Sequence, residues 1–234
     1  MGDRNINIGG NVSGSAFVVG DGNIVNSQTQ SIQPNATSSN SPDKRKLLIL
    51  AANPKATTQL RLDEEVRDIS EGLRRAEHRD AFEIAQRWAV RPRDFQRAML
   101  EELPQLVHFS GQALEMKGEE EGLYFEDETG APKLVSGAAL ASLFELFSLK
   151  AKIECVVLNG CYSAAQAAAI VAHVPYAIGM TESIDNRAAI EFVVGFYDAL
   201  GSGESIEFAF KSGKVAMALN STGDAEMPVL LTKE

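Results

Sequence analysis

From residue 46 onward, short apolar runs alternate with stretches of helical spacing, and that alternation leaves few folds open to the chain. Leu47-Leu48-Ile49-Leu50-Ala51-Ala52 is unbroken enough for a strand buried on both faces. Over 60–77, Leu62, Val66, Ile69 and Leu73 recur at helical spacing with charge on the other faces. Residues 81–90, with Phe82, Ile84 and Trp88, predict a second strand, and the helix after it carries Phe95, Met99 and Leu103. Leu106–Ser110 is the third strand. An irregular acidic stretch over 114–135 holds a small hairpin arm at Gly122-Leu123-Tyr124-Phe125. Helices over 137–148, 163–172, 186–200 and 204–219 follow, interleaved with strands over 152–158 and 174–179. This order predicts an α/β fold with a doubly wound, mostly parallel sheet. Sites in such sheets form beyond the carboxyl ends of the strands, where Gly111-Gln112 and Gly160-Cys161 both fall.

Cys161 carries the clearest chemical signal. The run Val156-Val157-Leu158-Asn159-Gly160-Cys161-Tyr162-Ser163 ends a strand, turns through Asn-Gly and enters an alanine-rich helix. The thiol therefore stands at the sheet's carboxyl edge beside a helix N-terminus, whose partial positive charge favours a thiolate. That is a place for a nucleophile. Cys155, mid-strand among apolar neighbours, reads as core.

The rest of the 234-residue chain bounds the function more broadly. A net charge of −10 argues against nucleic acid or an anionic membrane as the main partner. No basic-then-apolar leader opens the sequence and no apolar run reaches membrane-spanning length, so a cytoplasmic location is expected. Two cysteines make no disulfide framework. Asn53-Pro54-Lys55 stands where a phosphate-binding glycine loop would follow strand one, which discounts a nucleotide site; no cofactor or metal is expected.

Composition changes sharply near residue 45, giving three parts: 1–25, 26–45 and 46–234. Residues 26–45 are mostly Ser, Asn, Gln, Thr and Pro and read as a flexible linker. In residues 1–25, Gly10-Asn11-Val12 and Ser15 return twelve positions later as Gly22-Asn23-Ile24 and Ser27. Ile6, Ile8, Val12, Phe17, Val19 and Ile24 are interleaved with Gly and Asn, a β-prone pattern. Two such coils cannot close their own edges but gain by stacking on copies of themselves. Either a disordered Gly/Asn-rich tail or a self-associating segment fits.

Leu106-Val107-His108-Phe109-Ser110-Gly111, Gly122-Leu123-Tyr124-Phe125 and Leu158-Asn159-Gly160-Cys161-Tyr162-Ser163 together resemble the caspase-like clan of cysteine peptidases, and within it the CHAT family. Leu50-Ala51-Ala52-Asn53-Pro54, Leu60-Arg61-Leu62-Asp63-Glu64-Glu65 and Ile178-Gly179-Met180 with Ile184-Asp185-Asn186-Arg187 add to a likeness spanning about 46–215. The resemblance implies a caspase-like fold and a cysteine endopeptidase with a histidine–cysteine dyad. Cys161 matches the nucleophile. The catalytic histidine and the glycine after it fall on Gln112 and Ala113. A glutamine hydrogen-bonds but takes no proton near neutral pH, and losing a general base typically costs about 10²–10⁴-fold in rate.

His108 matches the family's strand-embedded histidine; four residues from the dyad edge at about 3.3 Å each, or roughly 13 Å, it reads as structural. His78 and His173 lie far from both motif loops. Natural divergence at Gln112 is favoured over an engineered change, because Ala113 and the loop LEMKGEEE depart from the pattern too. Clan relatives often cleave after basic residues through an acidic pocket, for which Asp185 and Glu182 stand in position, while Asp185 also suits a helix cap. Glu119-Glu120-Glu121 reads as a solvated loop.

The N-terminal segment resembles short amyloid-type signalling motifs of bacterial and fungal cell-death effectors. Two functions follow. One is an effector peptidase, impaired by Gln112, recruited or activated by self-association through residues 1–25 in a defence or cell-death type pathway, with a regulatory protein or peptide substrate as further partner. The other is a non-catalytic pseudoprotease scaffold assembled through the same segment.

Overall fold

A computed structural model of the chain describes residues 44–55, 57, 59–114, 122–220 and 223–233. The expected N-terminal assembly segment, the linker up to residue 43 and the Glu119–Glu121 run lie outside the described residues.

The central sheet has the order β2-β1-β3-β7-β8-β9. Its strands are β1 (Arg45–Ala51), β2 (Phe82–Trp88), β3 (Leu106–Ser110), β7 (Cys155–Asn159), β8 (Tyr176–Met180) and β9 (Pro228–Thr232). All pairings are parallel except β8 with β9, which is antiparallel. A second, antiparallel sheet joins β4 (Gln112–Leu114), β5 (Gly122–Glu126) and β6 (Pro132–Ser136). The hairpin expected at residues 122–125 is therefore present as β5, with a short partner on each side.

Strand alternation divides the core in two. Leu47 and Ile49 of β1 face one cluster, Leu48 and Leu50 the other. The first face is covered by α1 (Leu62–Arg75), α5 (Asn186–Gly201) and α6 (Ile206–Leu219); Cys155 is buried here. The second is covered by α2 (Pro92–Glu102), α3 (Gly137–Ser148) and α4 (Ala164–Ile170). Helices on both faces of a mostly parallel sheet make the doubly wound α/β architecture that the alternation predicts.

Local chemistry sets the helix limits. In α1 the acids Asp63, Glu64 and Glu65 occupy the first turn and Arg74 and Arg75 the last, matching the helix dipole. Pro92 opens α2, where the Asp94 carboxylate accepts from the Arg91 backbone N–H (3.3 Å) and its guanidinium (2.6 Å). Ser136, Asp185 and Ser205 cap α3, α5 and α6 through their side-chain oxygens.

Two differences from the expected order stand out. β1 begins at Arg45, one residue inside the stretch read as linker. β9 was absent from the expected elements: Pro228 opens its five-residue run after the last helix and reads against a strand, though it suits the edge position that β9 takes. No helix among the described residues is long and apolar enough to cross a membrane.

Candidate active site

β3 and β7 are neighbours, with Ser110 opposite Asn159, so Gln112 and Cys161 each lie two residues beyond a paired position. Their connecting loops touch through backbone. The Gly111 N–H donates to the Asn159 carbonyl at 3.5 Å, and a Cβ on Gly160 would sit 2.4 Å from the Gly111 carbonyl oxygen. Only glycine permits that approach. Gln112 and Cys161 consequently line one cleft of about 560 Å³ with Ala113, Tyr162, Ser183, Ile184, Asp185, Asn186 and Asp224.

The sulfur is partly exposed and faces the loop between β8 and α5. The Ile184 N–H donates to Cys161 Sγ (3.4 Å), Ser183 Oγ lies at 3.6 Å, and the Ile184 carbonyl can accept from the thiol at 3.7 Å. An N–H aimed at sulfur is a ready donor to negative charge there. The next residue, Tyr162, is left-handed with φ 55°. That conformation costs an L-residue about 1–2 kcal/mol. The Ser163 side chain makes no helix cap; it is drawn into the core instead.

The acidic candidates separate. Asp185 lines the cleft and also caps α5, accepting from the Arg187 N–H at 2.8 Å. Glu182 is not among the lining residues; its side chain is exposed and its backbone carbonyl accepts from the Tyr162 N–H at 3.2 Å. Asp224 was missed by sequence reasoning. It sits in the loop before β9, lines the cleft and accepts from the Asp185 N–H at 3.2 Å. Among the described residues, the lining side chains thus hold two carboxylates and no basic group. A neighbouring groove of about 540 Å³ between α1 and α5 shares Asp185 and Asn186 and mixes Arg61 and Arg187 with Glu64, Asp68 and Glu191.

None of the chain's three histidines lines the cleft. His108 is fully buried below the cleft, its Nε2 2.7 Å from Glu65 Oε1 and 2.9 Å from Ser110 Oγ, its Nδ1 3.1 Å from Tyr197 Oη. Burial holds the Tyr197 phenol well above its ordinary pKa, so the hydroxyl keeps its proton and can donate to Nδ1. Nε2–H then points at the carboxylate, a tautomer assigned from its partners. Ser110 Oγ and Asn159 Nδ2 also donate to Glu65 Oε1, at 2.6 and 2.9 Å. This buried cluster, which sequence reading did not find beyond His108, fastens the ends of β3 and β7 to α1. His78 and His173 lie near the C-terminal ends of α1 and α4, at the opposite edge of the sheet.

The geometry is a cysteine and a glutamine at the ends of adjacent parallel strands, over a buried histidine. The profile of the CHAT domain matches residues 13–227, most of the chain. The chain belongs to the CHAT domain family. This CHAT domain is 26% identical over 177 residues to a probable protease of Gillisia limnaea, a match covering 75% of the chain and 31% of the relative. It spans about a third of that relative's length. Among solved structures it is similar to the secreted C11 cysteine protease of Bacteroides thetaiotaomicron, in complex with an irreversible peptide inhibitor, with a TM-score of 0.54 and 10% identity over 73% of this chain and 57% of the other. The CHAT domain therefore has the caspase-like fold that the sequence blocks imply.

Proposed function

We propose that this CHAT domain is a cysteine-peptidase effector in which Cys161 is the nucleophile and turnover is impaired because Gln112 stands where a general base is needed. The observation that carries the reading is the shared cleft, lined by Cys161 on one side and Gln112 on the other. In the reaction the thiolate adds to a peptide carbonyl, the C–N bond breaks as the amine leaves with a proton taken from water, and water then hydrolyses the thioester to the carboxylic acid and the free thiol. Gln112 can orient the peptide but cannot deliver that proton. The Ile184 N–H supports a thiolate without a base. Asp224 and Asp185 favour a basic residue of the substrate in the cleft. The relative named a probable protease supports the peptidase assignment. Self-association through residues 1–25, joined by the 26–45 linker to the 46–234 domain, is the recruiting or activating step in a defence or cell-death type pathway.

The lack of any histidine among the cleft residues favours a second reading, a pseudoprotease scaffold that uses the cleft only to bind. One experiment separates them. The full chain and a chain lacking residues 1–25 are treated with an electrophilic peptide carrying Arg or Lys at P1, dilute and clustered. Labelling at Cys161 that disappears in Cys161→Ser and increases on clustering only in the full chain is expected. Labelling absent from the wild type and restored by Gln112→His would establish the scaffold instead.

A further inference from the structure

Ser163-Ala164-Ala165-Gln166 opens α4, and Ser-x-x-Gln is the pattern of a reciprocal helix cap. Both members are diverted from it. Ser163 Oγ donates to the Leu158 carbonyl at 2.8 Å and accepts from the Met180 N–H at 3.0 Å. Gln166, only 2% exposed, turns back over the nucleophile turn. One amide orientation pairs both its ends: the nitrogen donates to the Tyr162 carbonyl at 3.1 Å, and the oxygen accepts from the Gly122 N–H at 3.3 Å.

Those two partners matter for the site. Tyr162 follows Cys161 and is the left-handed residue; its N–H is held by the Glu182 carbonyl and its C=O by Gln166. Gly122 opens β5, which pairs with β4 so that Gln112 lies opposite Tyr124. Gln166 therefore connects the turn that carries Cys161 to the strand pair that carries Gln112.

We infer that Gln166 is a positioning residue for the nucleophile: it keeps Tyr162 left-handed, so that the sulfur faces the Ile184 N–H, and ties that turn to the β4–β5 hairpin. The inference rests on the reading of Cys161 as nucleophile. Without a donor to its carbonyl, a tyrosine at positive φ relaxes toward the ordinary α or β regions. The 161–162 backbone then rotates and the sulfur leaves its N–H donor. A glycine at 162 holds positive φ without help.

The test is the second-order rate of Cys161 alkylation by iodoacetamide in the full chain, mapped by mass, with thermal melts confirming that each variant is folded. Cys155 does not compete, since it is fully buried and burial pushes its thiol up. Gln166→Met is expected to slow labelling about tenfold, the effect of losing one N–H donor to a thiolate. In a Tyr162→Gly background the same change should alter the rate less than about twofold, because glycine tolerates the left-handed conformation. Gln166→Glu keeps the length and the acceptor for Gly122 but has no donor for Tyr162; it should slow labelling as Gln166→Met does, and it serves if the Gln166→Met chain does not fold. An unchanged or faster rate, or equal slowing in both backgrounds, overturns the inference. Peptide cleavage plays no part in this readout, so a chain that cleaves nothing still reports on Gln166. Conversely, a chain that cleaves peptides but labels at the same rate with Met at 166 overturns this inference alone.

Discussion

Glu65 is where removing one side chain should do the most damage for its size. Its Oε1 accepts from His108 Nε2, Ser110 Oγ and Asn159 Nδ2 within 2.9 Å, and the residue is 4% exposed. Alanine leaves three donors without that acceptor. Each stranded buried group costs about 1–3 kcal/mol. The full cost is not incurred three times, because His108 keeps Ser110 Oγ at 2.9 Å and Asn159 keeps the Ala189 carbonyl at 3.5 Å. The expected loss for Glu65→Ala is therefore about 3–5 kcal/mol, what about two buried hydrogen bonds to a charged group contribute together. Glu65→Gln preserves an acceptor oxygen and loses the charge, so about 1–3 kcal/mol is expected from weakening charge-assisted bonds to neutral ones. Urea unfolding followed by circular dichroism and by fluorescence of Trp88, the single tryptophan, measures both. At roughly 2–4 °C per kcal/mol for a domain of this size, the alanine variant should melt about 6–20 °C lower. A loss below about 1 kcal/mol for alanine would refute the idea that the carboxylate anchors the strand ends. So would a glutamine variant less stable than the alanine one.

Two further outcomes follow from the same geometry. Gly160→Ala, whose Cβ would lie 2.4 Å from the Gly111 carbonyl oxygen, should cost about 1–3 kcal/mol by forcing the loops after β3 and β7 apart, read by urea unfolding; a loss under about 0.5 kcal/mol would show that they have room. Hydrogen bonding to Arg91 holds the Asp94 carboxyl below its ordinary value, so the stabilisation is present above that value and is lost as pH falls through the lower folded one. Asp94→Ala should thus cost about 1 kcal/mol at pH 7 and converge with the wild type in acid; a gap that persists or widens at low pH would contradict it.

Much of the fold was legible because apolar spacing and tertiary packing agree. Leu62, Val66, Ile69 and Leu73 predict α1 and are buried in it, and the run at 47–52 lies in β1 (Arg45–Ala51) except for its last residue. β4, β6 and β9 escaped: three residues give no period to read in β4, and β6 and β9 each open on a proline, which reads against a strand. In the site, Cys161 stood out by its position after a strand, whereas Gln112, Asp185 and Glu182 were singled out by the resemblance to the caspase-like clan. Glu65 was hidden among three consecutive acids suited to a helix start. Its spacing of three from Leu62 and four from Ile69 put it on the apolar stripe, which was the available signal. Asp224 carries no such mark, because its partner Asp185 is distant in sequence, and the Ser163-x-x-Gln166 spacing points to a helix cap that the fold does not make.

The contact between Gly111 and Gly160 separates shape from chemistry. Main chain meets main chain there, and the buried Glu65 cluster secures both strands from beneath, so the two loops are joined by groups other than the side chain at position 112. A lineage could exchange its base for an amide and inherit the same recess intact. Recognition of a polypeptide can therefore outlive the ability to cut it, and each can be selected on its own terms.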